Sequence, residues 1–595
     1  MNFTTRPELS GTFGMVASTH WLASAAGMAT LEQGGNAFDA AVAAGLTLQV
    51  VEPHLNGPGG DAPILLYDAA RGEPVVVCGQ GPAPSAATIP RFRELGLELV
   101  PGSGLLAACV PGAFDAWLLL LRDYGTLPLA EVMRFAIHYA EHGFPMLPRI
   151  AETIAEAAPL FREEWPSSAE LWLEGGRAPR PGGMWRNPTL AATWRRLVAD
   201  AEAAGPARES QIQAGRDAFL RGFVAAAIAD FVARAEVMDS SGRRHRGVLS
   251  GDDMAAFSAA YEPPVTLEHR GLTVCKAGPW SQGPVQLQAL ALLEGFDLEA
   301  MGHLSGDYVH TVLECAKLAF ADREAWYGDP AFADVPLKTL VSGAYASERR
   351  ALVGEEASFD LRPGSPDGRS PVLPRIPLLA ETVAAGFGVG EPTLGRSDGP
   401  VEGDTCHVDV VDRHGNMVSA TPSGGWLHSS PAIPGLGLCL GTRAQMFWLT
   451  EGLPNALAPG KRPRTTLTPS LGLRDGEGVI AWGTPGGDGQ DQWSLQFLLS
   501  HLDFGLNLQE AIDAPAFTST HFPSSFYPRL AEPGHVEIES RAGRRVIEAL
   551  RARGHDVGVA EPWSIGRLSA VSRSPDGTLR AAANPRGMQG YAVGR

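Results

Sequence analysis

Apolar residues recur at helical spacing through the first half of the chain and alternate with polar ones late in it. STHWLASAAGMATLEQGG (18–35) predicts a helix with a Ser/Thr start and a stop at Gly34 and Gly35. NAFDAAVAAGLTLQVVEP (36–53) predicts a second, with Asn36 as N-cap and Pro53 ending it. HLNGPGGDAPILLYD (54–68) then reads as a glycine-rich turn entering a strand. From about Leu105 to Phe320 the pattern is mostly helical. AFDAWLLLLRDYG and SGDYVHTVLECAKLAFADREAWYGDP are its best amphipathic pieces.

The character changes at residues 354–404, where Pro, Gly and charge accumulate. That composition predicts a flexible connector, because too little apolar surface is available to offset the ordering entropy. Its GFGVGE lacks the third glycine of a dinucleotide fingerprint and follows no strand pattern. Period-two alternation begins after Thr405. VDVVD-RHG-NMVSATPS predicts one hairpin and Leu471–Gly483 a second, which runs into TPGGDG. Helical patterns return at WSLQFLLSHLDFG and RAGRRVIEALRARG. The coarse order expected is helices, a connector, then a β-rich core opening at Thr405.

With 595 residues, 44% of them apolar, the chain can bury a large core. A net charge of -18 repels phosphate backbones and places nucleic-acid binding low. No apolar run reaches the ~18 residues of a membrane helix, and the first residues carry no export pattern, so a cytoplasmic location is expected, or a periplasmic one if a leader has been removed. The six cysteines are scattered without CxxC spacing, which predicts buried free thiols and no metal site.

Thr405 and Cys406 stand side by side at a predicted strand start, just downstream of the connector. A threonine hydroxyl needs a base to become a nucleophile. Its own α-amine, with an ordinary pKa of about 7.7 to 8.0, is one such base. That amine is free only if the Asp404–Thr405 bond is cut. Cys406 is the rival nucleophile, but alternation puts the two side chains on opposite faces. His407 shares the Thr405 face, either as a conventional base or as a structural hydrogen-bonder. Amide attack also needs backbone N–H donors for an oxyanion, and Gly486 and Gly487 after the second hairpin can provide them.

Over nearly its whole length the chain resembles the γ-glutamyltranspeptidase family of N-terminal-nucleophile hydrolases. GGNAFDAAVAAGLTLQVVEPHLNGPGGDAPILLYD, GLLAACVPGAFDAW, YGTLPLAEVMRFAIHYAEHGF, LLEGFDL and KLAFADREAWYGDPAFADVP carry the likeness before the connector. DTCHVDVVDRHGNMVSAT, GKRPRTTLTPSLGLRDG and GTPGGDGQDQW carry it afterwards. The resemblance implies an α/β (α+β) αββα sandwich, two stacked antiparallel sheets between helix layers. It implies a precursor cut into a large chain (1–404, ending in the 354–404 connector) and a small chain (405–595) that together form one fold. Thr405 matches the self-cleaving nucleophile, Ser423 a supporting hydroxyl, and Gly486 and Gly487 the oxyanion glycines. Thr465 and Thr466 replace a serine pair.

Both ionic anchors for a glutamyl head group look replaced. Gln80 stands at the place of the arginine that grips the α-carboxylate, and Gln445 and Met446 at the place of aspartates for the α-amine. A family asparagine is replaced near Gly425, and Trp426 follows. Glutamine cannot supply a charged bidentate fork. Arg443 and Arg464 are alternative carboxylate holders, with a structural salt bridge the other reading of each. Trp426, Phe447, Trp448 and Trp493 are residues for an apolar acyl pocket or for the core.

The expectation is therefore a self-processing amidohydrolase acting on a small-molecule amide other than a standard γ-glutamyl compound. It needs no cofactor and no partner beyond its own two chains, with a homodimer or a dimer of heterodimers as the assembly. The alternatives are a true γ-glutamyl hydrolase or transferase and an uncleaved binding protein of the same fold.

Overall fold

The computed structural model describes residues 3–378 and 405–595. Two seven-stranded sheets form the centre. One runs Tyr591–Gly594, Gly14–Ser18, Val408–Asp412, Met417–Ala420, Ala62–Asp68, Glu73–Gly79, Ala260–Glu262. The other runs Leu9–Gly11, Leu579–Ala583, Ser569–Arg573, Glu477–Gly483, Ser470–Arg474, Leu272–Lys276, Val265–His269. Every neighbouring pair in both is antiparallel.

Strand alternation sorts side chains into layers. Val408, Val410, Ile64 and Leu66 turn outward into a large helical core. Val411, Met417, Leu65, Leu471, Ala481 and Val571 fill the space between the sheets. Ile480, Trp482 and Ala570 turn the other way, onto a second helical core. The result is the expected αββα sandwich.

The helix 36–53 forms as Ala37–Val51, opened by a reciprocal capping box between Asn36 and Asp39. All its residues are buried, since it lies under other helices as well as on the sheet. The helix before it is Trp21–Glu32, and its cap is His20 rather than Ser18 or Thr19. Ser18 ends a strand and Thr19 is tied to Glu52, so neither is free to cap. The expected order needs a second correction: both sheets recruit strands from before the connector, so the β-rich core is not confined to the chain after Thr405. One of those early strands, Ala62–Asp68, is the strand expected after the glycine-rich turn; the others lie before or after long helical stretches.

Helix Gly306–Trp326 departs from its amphipathic reading. Glu314, Lys317, Asp322, Arg323 and Glu324 are all buried and paired within the protein. The first part of the 354–404 segment packs against this helix. Lys317 Nζ donates to the Ser358 carbonyl at 2.7 Å, and Trp326 Nε1 to the Gly364 carbonyl at 3.1 Å. Farther on, the Ala531 N–H donates to the Pro377 carbonyl at 3.1 Å. GFGVGE and Asp404 lie outside the described residues. All six cysteines are buried and free, and no helix among the described residues is long and apolar enough to cross a membrane.

Candidate active site

Thr405 sits three residues ahead of the Val408–Asp412 strand, 1% exposed and bridged to Ser423. The two hydroxyl oxygens are 3.2 Å apart. Alternation puts Thr405 on the side of His407 and Asp409, facing the second sheet, and Cys406 on the helical side. The His407 ring nitrogens are engaged by Thr421 Oγ1 and Asp409 Oδ1, each at 2.9 Å. Asp409 also accepts from Ser419 and Ser569. His407 is thereby a member of a satisfied buried network, the second of its two expected readings.

Cys406 occupies a different environment. Its thiol donates to Glu52 Oε2 at 2.9 Å and accepts from Asn56 Nδ2 at 3.1 Å. Burial, reinforced by the Glu52 carboxylate, pushes the thiol well above the ordinary range. A thiol held protonated on the far face of the strand is a poor nucleophile for a site at Thr405.

Ser423 is fixed through its backbone. It exchanges two hydrogen bonds with Asp61, at 2.8 and 2.9 Å. The Asp61 carboxylate receives both Nε and Nη2 of Arg443 at 2.9 Å. The glycines of NGPGG explain themselves here: the backbone of Gly57–Gly60 lies directly against Ser423–Gly425 and Cys439. A Cβ on Gly60 would run into the Ser423 carbonyl.

The glycine pair approaches from the other sheet. Gly483 ends its strand against the His407 ring, where a Cβ would not fit. The chain then turns through Gly486 (φ 124°) and Gly487 (φ 51°). Gln282 ties this turn to the threonine pair: its N–H donates to the Thr465 carbonyl at 2.9 Å, and its Nε2 to the Gly487 carbonyl at 3.2 Å. Asp488, the next residue, accepts from Arg323 and from the Ser525 N–H and hydroxyl at 2.7 Å. Asp61 thus links Ser423 to Arg443, Gln282 links Thr465 to Gly487, and His407, two residues beyond Thr405, abuts Gly483.

The residues at the expected anchor positions fall into two groups. Arg443 and Arg464 are committed to internal carboxylates, Arg443 to Asp61 and Arg464 to Glu324 at 2.7 Å, so the salt-bridge reading of each is the one realised. Trp426 donates its Nε1 to the Leu55 carbonyl and packs with Met446 and Phe526. Phe447 belongs to a separate core cluster, and Trp448 stacks on Arg529. Trp493 covers Gly486 and Gly489. In the second group, two residues keep polar atoms without protein partners among the described residues. Gln80 Nε2 bonds only the neighbouring Gly81 carbonyl, leaving Oε1 unpartnered, and the Thr466 hydroxyl is unpartnered and buried. Gln445 is held by Gly102, Thr442 and the Tyr527 N–H. Gly425 adopts φ 67° beside Gly59 and Gly60.

Sequence reading missed Asp61, Gln282, Arg323 and the 522–532 loop. Asp61 follows a conspicuous glycine cluster and could have been found. The others carry no local signal.

Two antiparallel sheets between helix layers make this the sandwich of the N-terminal-nucleophile hydrolases. The chain matches the Gamma-glutamyltranspeptidase family over residues 23–594. It is 34% identical over 588 residues to the Acylase ACY 1 proenzyme of Pseudomonas sp. (strain SE83), covering 96% of this chain and 92% of that one. Among solved structures, LmbA2991T421A superposes with a TM-score of 0.94 at 57% identity, over 100% of both chains. The cephalosporin acylase from Bacillus halodurans superposes with a TM-score of 0.83 at 29% identity, over 100% of this chain and 97% of that one. The chain belongs to the γ-glutamyltranspeptidase family.

Proposed function

We propose that the chain is a self-processing amidohydrolase of the acylase kind, with Thr405 as its nucleophile. The observation that carries this is the buried Thr405–Ser423 hydroxyl pair, together with the full engagement of His407, two residues on, by Thr421 and Asp409. With His407 occupied, the base that fits is the amine of Thr405 itself.

In the precursor, Thr405 Oγ attacks the Asp404 carbonyl. The amide becomes an ester, and water hydrolyses it to a free Asp404 carboxyl and a free Thr405 amine. In the mature enzyme the Oγ–carbonyl bond forms as the amine takes the hydroxyl proton. Gly486 and Gly487 N–H groups receive the oxyanion. Collapse breaks the C–N bond, and the proton passes to the leaving amine. Water then resolves the acyl-enzyme and restores both groups.

The acyl group is read as something other than γ-glutamyl, since the anchor positions hold Gln80 and Gln445 and the nearby arginines are closed by internal carboxylates. The acylase names of two relatives agree with that reading. A denaturing gel tests the processing step. Two bands of about 43 and 20 kDa are expected, 62.9 kDa shared in proportion to 404 and 191 residues. A single full-length band in active material would exclude the mechanism. Turnover of a glutaryl or oxamate amide above a γ-glutamyl anilide is expected; the reverse order would restore a γ-glutamyl substrate.

A further inference from the structure

The 522–532 loop takes no part in the proposed chemistry, yet with Asp488, Gly489 and Gln492 it encloses a cavity of about 170 Å³. We propose that this cavity receives the amine half of the substrate and selects an apolar, ring-sized amine that carries a positive charge. The inference rests on the amidohydrolase reading above and names its leaving-group class.

Position is the first argument. Asp488 and Gly489 directly follow Gly487, so the cavity begins where the oxyanion turn ends. On its other side, Phe526 packs with Trp426 and Met446, and the Tyr527 N–H donates to Gln445 Oε1 at 3.1 Å. The loop is pinned by the two Ser525 hydrogen bonds to Asp488, which Arg323 holds from behind. It therefore spans the interval between the expected anchor positions and the glycine pair.

Size and walls are the second. Phe522, Phe526, Tyr527, Pro528 and Leu530 supply apolar surface. The volume is on the order of the ~150 Å³ that accommodates a benzene ring.

Charge is the third. No Lys, Arg or His lines the cavity. Its carboxylates are Asp488, neutralised by Arg323, and Glu532. Glu532 is half-buried, and no side-chain hydrogen bond or ion pair holds its carboxylate among the described residues. An unpaired carboxylate beside aromatic rings attracts an ammonium and repels a carboxylate of the same shape. The charge belongs on a group other than the scissile nitrogen, because a nitrogen still acylated carries none.

Binding to the processed wild-type enzyme tests this, with phenethylamine and 3-phenylpropionate compared by calorimetry. Neither ligand has a bond to be cut, so the result is read separately from that of Thr405→Ala, which tests the reaction itself. Phenethylamine is expected to bind at least about tenfold more tightly than the acid and to compete with turnover of a chromogenic acyl anilide. Glu532→Gln should erase the preference and Glu532→Lys should reverse it. Equal binding of the two ligands, a preference that survives in both variants, or amine binding without competition would overturn the proposal.

Discussion

A Cβ on Gly57 would stand 2.5 Å from the carbonyl oxygen of Gly425. Two backbones meet there with no room for a side chain, and they are the segments that fix Ser423. Gly57→Ala must push them apart, at a cost of about 1 to 3 kcal/mol. The expected outcome is a lower unfolding temperature together with slowed conversion of precursor to two chains, followed by gel.

Thr405→Ala should abolish both chain cleavage and turnover, a drop of at least ~10³-fold. Thr405→Ser keeps a hydroxyl and should retain both at reduced rate. Normal cleavage in the alanine variant, seen by intact-mass measurement, would remove Thr405 from its assigned role.

Ser423→Ala deletes the buried partner 3.2 Å from the nucleophile. Losing one such hydrogen bond is worth roughly tenfold to a hundredfold in rate. Ser423→Thr should recover most of it. Pre-steady-state kinetics separate acylation, expected to slow, from acyl-enzyme hydrolysis.

Cys406→Ser is the matching control. The thiol lies on the opposite face and is held protonated against Glu52. Activity within several-fold of wild type is expected, along with resistance of the native enzyme to iodoacetamide. Full inactivation by the reagent, with Cys406 labelled, would reopen the case for sulfur.

Glu324 makes a pH prediction. Burial alone would raise its carboxyl, but Arg464, Arg323 and Arg529 outweigh burial and hold it down at about 2. A depressed acid stabilises the fold fully above its unfolded value, about 4.5, and that contribution is lost as pH falls towards 2. Its size is about 3 kcal/mol. Glu324→Gln should lower stability at neutral pH and flatten the acid limb of a plot of unfolding temperature against pH. An unchanged acid limb would show that this group is not responsible.

Backbone-driven features were legible because a period or a glycine betrays them. Alternation along the strand separates Thr405 from Cys406, and the structure keeps them on opposite faces. Asn36 announced its helix through its cap. Charge misled where tertiary pairing overrides local pattern. Lys317, Asp322, Arg323 and Glu324 read as a solvated face, yet each is buried against partners remote in sequence, such as Ser358, Tyr345, Asp488 and Arg464. For the two arginines the sequence leaves carboxylate holder and structural salt bridge both open, because the deciding partner is remote: Asp61 lies 382 positions from Arg443, and no window along the chain connects them. The 522–532 loop has no hydrophobic period to announce it.

Strand Val408–Asp412 hydrogen-bonds to Gly14–Ser18 on one side and to Met417–Ala420 on the other, while Tyr591–Gly594 closes the far edge of Gly14–Ser18. Residues before and after the proposed cut are interleaved like the fingers of two hands. Parting them would tear open a ladder in each sheet. A single continuous polypeptide brings both sets of strands into one fold, and under the proposed processing the cut follows that folding.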